Sequence, residues 1–147
     1  MPTISEVSLA YKSSQPVKTL PTITSPAEAA EYLRSIWDQD TLELREEFMV
    51  VLLNNAKKVI GWSRISTGGS TATIVEPSAV FQLALLSKAS SLICAHNHPS
   101  SRLVASSADV SLTKRLSECG KIFGIPLDDH LILTANGYLS LRSEGYM

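Results

Sequence analysis

Phe48-Met49-Val50-Val51-Leu52-Leu53, six apolar residues in a row closed by Asn54-Asn55, narrow the fold of this chain more than any other stretch. A run of that length and composition is a strand buried on both faces, so its sheet needs a covering layer on each side. The rest of the chain supplies the layers. Ser25-Pro26-Ala27-Glu28 sets a capping serine, a proline at the first helical position and a glutamate three residues on; Ala29, Tyr32, Leu33 and Ile36 then recur at helical spacing to about Trp37. Pro77 opens a second helix with Val80, Phe81, Ala84 and Leu85 on one face. A third is expected from about Ser107 to Cys119, with Gly120 as its left-handed cap. Further strands are expected at Val59 to Ile65 after an Asn54 to Lys57 turn, at Thr71 to Val75 beyond Gly68-Gly69, and at Ser91 to Ala95. Two more, Ile125 to Thr134 and Tyr138 to Leu141, flank the hairpin signal Asn136-Gly137. Strands interleaved with helices make an α/β or α+β layered domain. Residues 1–24, with Pro16 and Pro21 and no clear period, read as an arm ahead of a domain at 25–147.

At 147 residues and 44% hydrophobic content the chain can bury a real core. Thirteen basic against fourteen acidic side chains leave a net charge of −1, which gives no bulk electrostatic grip on nucleic acid. No apolar run approaches the roughly 20 residues that span a bilayer. Met1 to Ala10 lacks the charged and apolar regions of an export signal. Cys94 and Cys119 are too few for a disulfide scaffold. A cytoplasmic, soluble protein with no membrane partner is expected.

The chemistry concentrates where the Ser91 strand ends. All three histidines lie between positions 96 and 130, and two form His96-x-His98. In extended chain these two imidazoles project to one side. Pro99 stops the strand there, and strand ends are where α/β proteins carry their sites. Asp109 follows in the first turn of the next helix. Two imidazoles and a carboxylate fill three corners of a tetrahedral zinc site and leave the fourth to water, the catalytic pattern. Taken singly, His-x-His is an exposed pair and Ser106-x-x-Asp109 is a helix capping box; together they favour a metal, with capping as a second task for Ser106. A hydrolytic site also needs a base, and Glu46 and Glu47 lead into the apolar strand. Strand alternation lets only one of them face the metal. Iron held by two histidines and one carboxylate is the chemical alternative to zinc. Cys94 shares the side of His96 and His98 but reads as a core thiol, and His130 as a structural hydrogen-bonding residue. Trp37 and Trp62 read as core or partner-facing anchors, and Lys114-Arg115 with Lys121 as a solvated face. The deaminase signature, His-x-Glu with Pro-Cys-x-x-Cys, is absent.

The string His96-Asn97-His98-Pro99-Ser100 followed by Ser106-Ser107-Ala108-Asp109 matches the JAMM pattern of the JAB/MPN metalloprotease superfamily. Within it the chain most resembles bacterial RadC-type proteins. That likeness takes in Glu46-Glu47-Phe48, Gly68-Gly69, Glu76-Pro77, Asp129-His130-Leu131-Ile132 and Asn136-Gly137-Tyr138, over roughly residues 25–147. The resemblance implies a cytidine-deaminase-like α/β fold, a central mixed sheet flanked by helices, one zinc ion, and hydrolysis of a peptide or isopeptide substrate. Carried over residue by residue, it makes His96, His98 and Asp109 the zinc ligands, Glu46 the general base with Glu47 as fallback, and Ser106 the support for the oxyanion. Two other readings are a DNA-repair or nucleic-acid-processing accessory, which the near-neutral charge opposes, and a non-catalytic interaction module, which the intact ligand set opposes. The chain departs from the family at Ser101, where glycine is usual and a turn favours positive φ, and at Asn54, where aspartate is common. No helix-hairpin-helix segment is read in these residues, so the DNA-binding accessory many relatives carry is not expected.

Overall fold

Strand β1 (Glu47–Leu53) is buried along its whole length, and the fold follows from what covers its two faces. The computed structural model of the protein describes all residues except 1–4, 9, 11, 13–15, 17–18 and 68–73. Met49, Val51 and Leu53 point into one core, which helix α1 (Pro26–Ile36) covers through Ala29, Ala30 and Leu33, with Trp37 beside them. Phe48, Val50 and Leu52 point into a second core. Helix α2 (Pro77–Leu86) covers it through Val80, Phe81 and Ala84, and helix α3 (Ser107–Phe123) through Leu116. The period of two along one apolar strand thus builds both layers.

Strand β2 (Val59–Thr67), β1, β3 (Ser91–Asn97), β4 (Leu127–Leu133) and β5 (Tyr138–Ser140) lie side by side in that order. β1 runs antiparallel to both β2 and β3, β3 and β4 are parallel, and β5 returns antiparallel to β4. Parallel neighbours need a long crossover, and α3 provides it. The result is a mixed α/β domain, a five-stranded sheet with helices on both faces, as the JAB/MPN likeness implied.

Local signals acted largely as expected. Ser25 Oγ accepts from Glu28 N, but the Glu28 carboxylate reaches past the cap to Thr24 N at 2.7 Å, so the box closes one residue early. Asn54 Oδ1 accepts from Ala56 N and Lys58 N at 2.9 and 3.0 Å, which is what an aspartate would do there. Arg34 reaches from α1 to the carbonyls of Thr134 and Gly137, tying that helix to the β4–β5 hairpin. Residues 21–23 lie beside the start of β2, with Ile23 buried in the α1 core.

Three expectations are corrected. Gly120 is not the cap of α3: the helix continues to Phe123, and Gly124 takes the left-handed conformation at φ 69°. Gly120 serves by its size, since a Cβ there would meet the Ile125 carbonyl oxygen at 2.5 Å. β3 runs past its apolar residues to Asn97, because β1 and β4 both continue beside it and pair with His96. Ile74 and Val75 are not in a strand; the remainder of the expected Thr71–Val75 strand, with Gly68-Gly69, lies outside the described residues.

Candidate metal centre

β3 delivers His96 to its α3 face, two residues beyond buried Cys94 and stacked parallel to Phe48 of β1. His98 follows in the next residue that faces this way, just past the strand; its backbone N–H still bonds Leu133 O before Pro99 ends the ladder. The chain then turns through Ser101, whose φ of 65° is the positive value expected of the turn there. That turn brings the Arg102 carbonyl to His98 Nδ1 at 2.8 Å. Asp109 sits in the first turn of α3, fixed by a reciprocal capping box: its N–H donates to Ser106 Oγ at 3.0 Å, and Ser106 N donates to its Oδ2 at 2.9 Å. The capping and metal-site readings of this motif describe one arrangement, since the cap aims the carboxylate at the histidines.

The approach is close. His96 Nε2 lies 3.2 Å from Asp109 Oδ1, His98 Nε2 lies 3.4 Å from Asp109 Oδ2, and the two Nε2 atoms are 3.0 Å apart. Glu46, at the mouth of β1, joins them: one ligand atom from each of the four residues lies within 4.8 Å of the others. Because His98 Nδ1–H donates to a carbonyl, its neutral imidazole presents a lone pair at Nε2. Imidazole nitrogens and carboxylate oxygens converging on one point are the ligand chemistry of zinc and other first-row divalent cations, so the residues fit a metal ion.

The charges agree. Burial alone would raise Asp109, but its bonds to His96 and His98 outweigh that and hold its carboxyl far below the usual range. The same bond to Asp109 raises His98 against the opposing effect of burial. Cys94 packs in the core outside this cluster, and burial pushes its thiol far up. Burial, followed by the nearness of His96, pulls His130 well down.

Alternation separates the two glutamates. Glu46 belongs to the candidate cluster and lines the cleft above it. Glu47 is wholly buried, its carboxylate held by Arg45 at 3.2 Å and Arg64 at 2.6 Å, and the structure does not bring it to the histidines. Ser106 lines the cleft, and its cap uses an oxygen lone pair while leaving its proton to donate elsewhere. That cleft, about 570 Å³, is walled by Leu44, Pro99 and Val104 and carries Arg102 at its rim.

Residues that sequence reasoning passed over support the site from behind. Asn97, between the two histidines, points the other way and is fully buried. It donates to the carbonyls of Leu42 and Arg45 at 2.6 and 2.8 Å and accepts from Glu47 N at 2.7 Å, clamping the segment that carries Glu46. Its position in a strand-borne His-x-His was the available signal, since the middle residue must face the opposite layer. Thr113, one helical turn after Asp109, contacts His130 at 2.6 Å, and His130 contacts His96 at 2.8 Å. No helix among the described residues is long and apolar enough to cross a membrane.

Comparison with known proteins agrees with this geometry. Residues 23–146 match the RadC-like JAB domain family. The chain is 42% identical over 125 residues to a UPF0758 protein of Geobacillus sp. (strain WCH70), covering 85% of this chain and 54% of that protein. It is 47% identical over 102 residues to one from Listeria monocytogenes, covering 69% and 46%. With one from Clostridium acetobutylicum it shares 42% over 142 residues, covering 94% and 57%. The chain spans about half the length of the curated relatives it matches.

Proposed function

This chain belongs to the family of RadC-like JAB domains, and on that premise we propose that it is a zinc-dependent hydrolase of peptide or isopeptide bonds, with residues 25–147 as the hydrolase domain and residues 1–24 as an arm. The observation that carries the reading is the convergence of Glu46, His96, His98 and Asp109 beside a cleft that Glu46 and His98 line.

His96, His98 and Asp109 would hold the ion, which when bound supplies a Lewis acid and a water whose pKa is brought near 7. Glu46 stands beside the ligands with no basic side chain among the described residues bonded to it, in contrast to Glu47. It takes the proton of the attacking water and passes it to the leaving nitrogen. Ser106 donates its hydroxyl proton to the substrate oxygen as negative charge develops there. The capping box and the Arg102 carbonyl hold Asp109 and His98 in place before substrate arrives, so no reorganisation is needed at the reacting centre. Leu44 and Val104, exposed on the cleft walls, offer apolar contact to an extended peptide.

The test pairs two variants on zinc-loaded protein screened against peptide and isopeptide libraries. Glu46→Gln should keep zinc and lose turnover by roughly 10²–10⁴-fold, whereas His98→Ala should lose the zinc itself. Cleavage retained by both variants would overturn these roles.

A further inference from the structure

Resting on the metal-centre reading above, we infer that Thr113 and His130 are positioning residues that fix the tautomer of His96, so that its Nε2 presents a lone pair to the ion. A buried row of hydrogen bonds fixes the protons one after another. Thr113 Oγ1 lies 2.7 Å from the carbonyl oxygen of Asp109, one turn back in α3. A carbonyl only accepts, so the single hydroxyl proton of Thr113 is committed to it. The hydroxyl oxygen is also 2.6 Å from His130 Nδ1 and must accept there, which places a proton on Nδ1. In a neutral imidazole the other nitrogen then carries a lone pair. His130 Nε2 is 2.8 Å from His96 Nδ1, so His96 donates from Nδ1, and in its neutral ring the lone pair falls on Nε2, aimed at Asp109 and His98.

Reversing every bond gives the competing arrangement. Thr113 would donate to His130, His130 to His96, and His96 Nε2–H to Asp109. That state sets two oxygen acceptors, Thr113 Oγ1 and the Asp109 carbonyl, face to face at 2.7 Å with no proton between them. It also fills the position a cation needs. Thr113, His130 and His96 are all wholly or nearly buried, so water does not relieve the mismatch. The two histidine ligands are therefore oriented by different means, His98 by a main-chain carbonyl on the exposed side and His96 by a side-chain relay anchored on the helix that carries Asp109. Outer partners of metal-binding histidines commonly set tautomer and affinity in this way.

The experiment combines nitrogen-15 NMR of the histidine rings with zinc titration against a competing chromophoric chelator. In wild-type protein, with and without zinc, His130 and His96 should both carry their proton on Nδ1. Thr113→Val and His130→Leu should weaken zinc binding by roughly 10–100-fold. Thr113→Ser should restore it, as should His130→Gln, whose amide oxygen can accept from His96 Nδ1. A purely structural role would lower the melting temperature of the Val and Leu variants without changing the zinc affinity of the folded protein or the His96 tautomer, and that result overturns the inference. So does a proton on His130 Nε2 in the wild type. Wild-type protein that takes up no zinc would instead overturn the metal-centre reading, and the inference with it.

Discussion

The two faces of β3 carry polar residues handled in opposite ways. On the α1 face, Asn97 has two donors and an acceptor, and the protein satisfies all three with main-chain groups of the 42–47 segment. On the α3 face, His96 and His98 turn their Nε2 atoms towards each other and towards Asp109 at 3.0 to 3.4 Å, close enough that a proton or a cation must lie between them. A polar group with its partners built in holds a structure together. Ionisable ligand groups converging on one point beside a cleft could instead hold a cation from outside. Glu47 and Glu46 repeat the contrast one strand away: the first is closed off by two arginines, the second opens on the cleft.

The comparison predicts that polar deletions on the two faces differ in kind. Asn97→Ala strips the partners from two carbonyls and one N–H in the interior and should cost about 2–4 kcal/mol of stability, read as a melting point lower by several degrees. It should also slow turnover by loosening Glu46. His98→Ala, by contrast, should cost the zinc-free protein only about 1 kcal/mol of stability while abolishing zinc binding. Equal destabilisation by the two changes would break the distinction.

A milder contrast concerns the thiols. Cys94 is buried on the histidine side, and burial raises its pKa, so bringing the solution to pH 9, which ionises an ordinary cysteine, should leave it protonated and unreactive. Cys119 is only partly buried. Mass spectrometry after brief alkylation should find label on Cys119 and none on Cys94 until the protein is unfolded. Label on Cys94 in folded protein would mean that the α3 face is looser than its packing implies.

The smallest expected effect is at Ser101. With φ at 65°, a glycine there removes side-chain strain of about 1 kcal/mol, partly offset by the greater freedom it gives the unfolded chain. Ser101→Gly should therefore raise stability by a few tenths of a kcal/mol with zinc affinity unchanged, read by chemical denaturation. A fall in stability would mean that the serine side chain contributes something the turn alone does not.

Much of this was legible in the residues. The apolar run 48–53 announced a doubly covered strand, and Pro26, Pro77 and Ser106 marked helix starts that the structure keeps. The two histidines and Asp109 were placed by period and by the helix start, both local properties. What the sequence concealed depends on neighbours brought together from afar. Gly120 looked like a stop signal because nothing local shows that Ile125 will press against it. Which of Glu46 and Glu47 faces the cleft depended on the register of β1 against β3, and Arg64, which holds Glu47, sits on a different strand. The Thr113–His130–His96 row joins a helix to two strands, its first pair 17 positions apart and its second 34, so no short motif reveals it.

The central claim is that the α3 face of β3 is an ion site with its ligands already assembled. Calorimetric titration of metal-free protein with zinc tests it most directly. The account predicts about one zinc per chain for the wild type, unaltered stoichiometry for Glu46→Gln, and no binding for His98→Ala. Absence of zinc uptake by the wild type, or uptake by His98→Ala equal to it, would contradict the account.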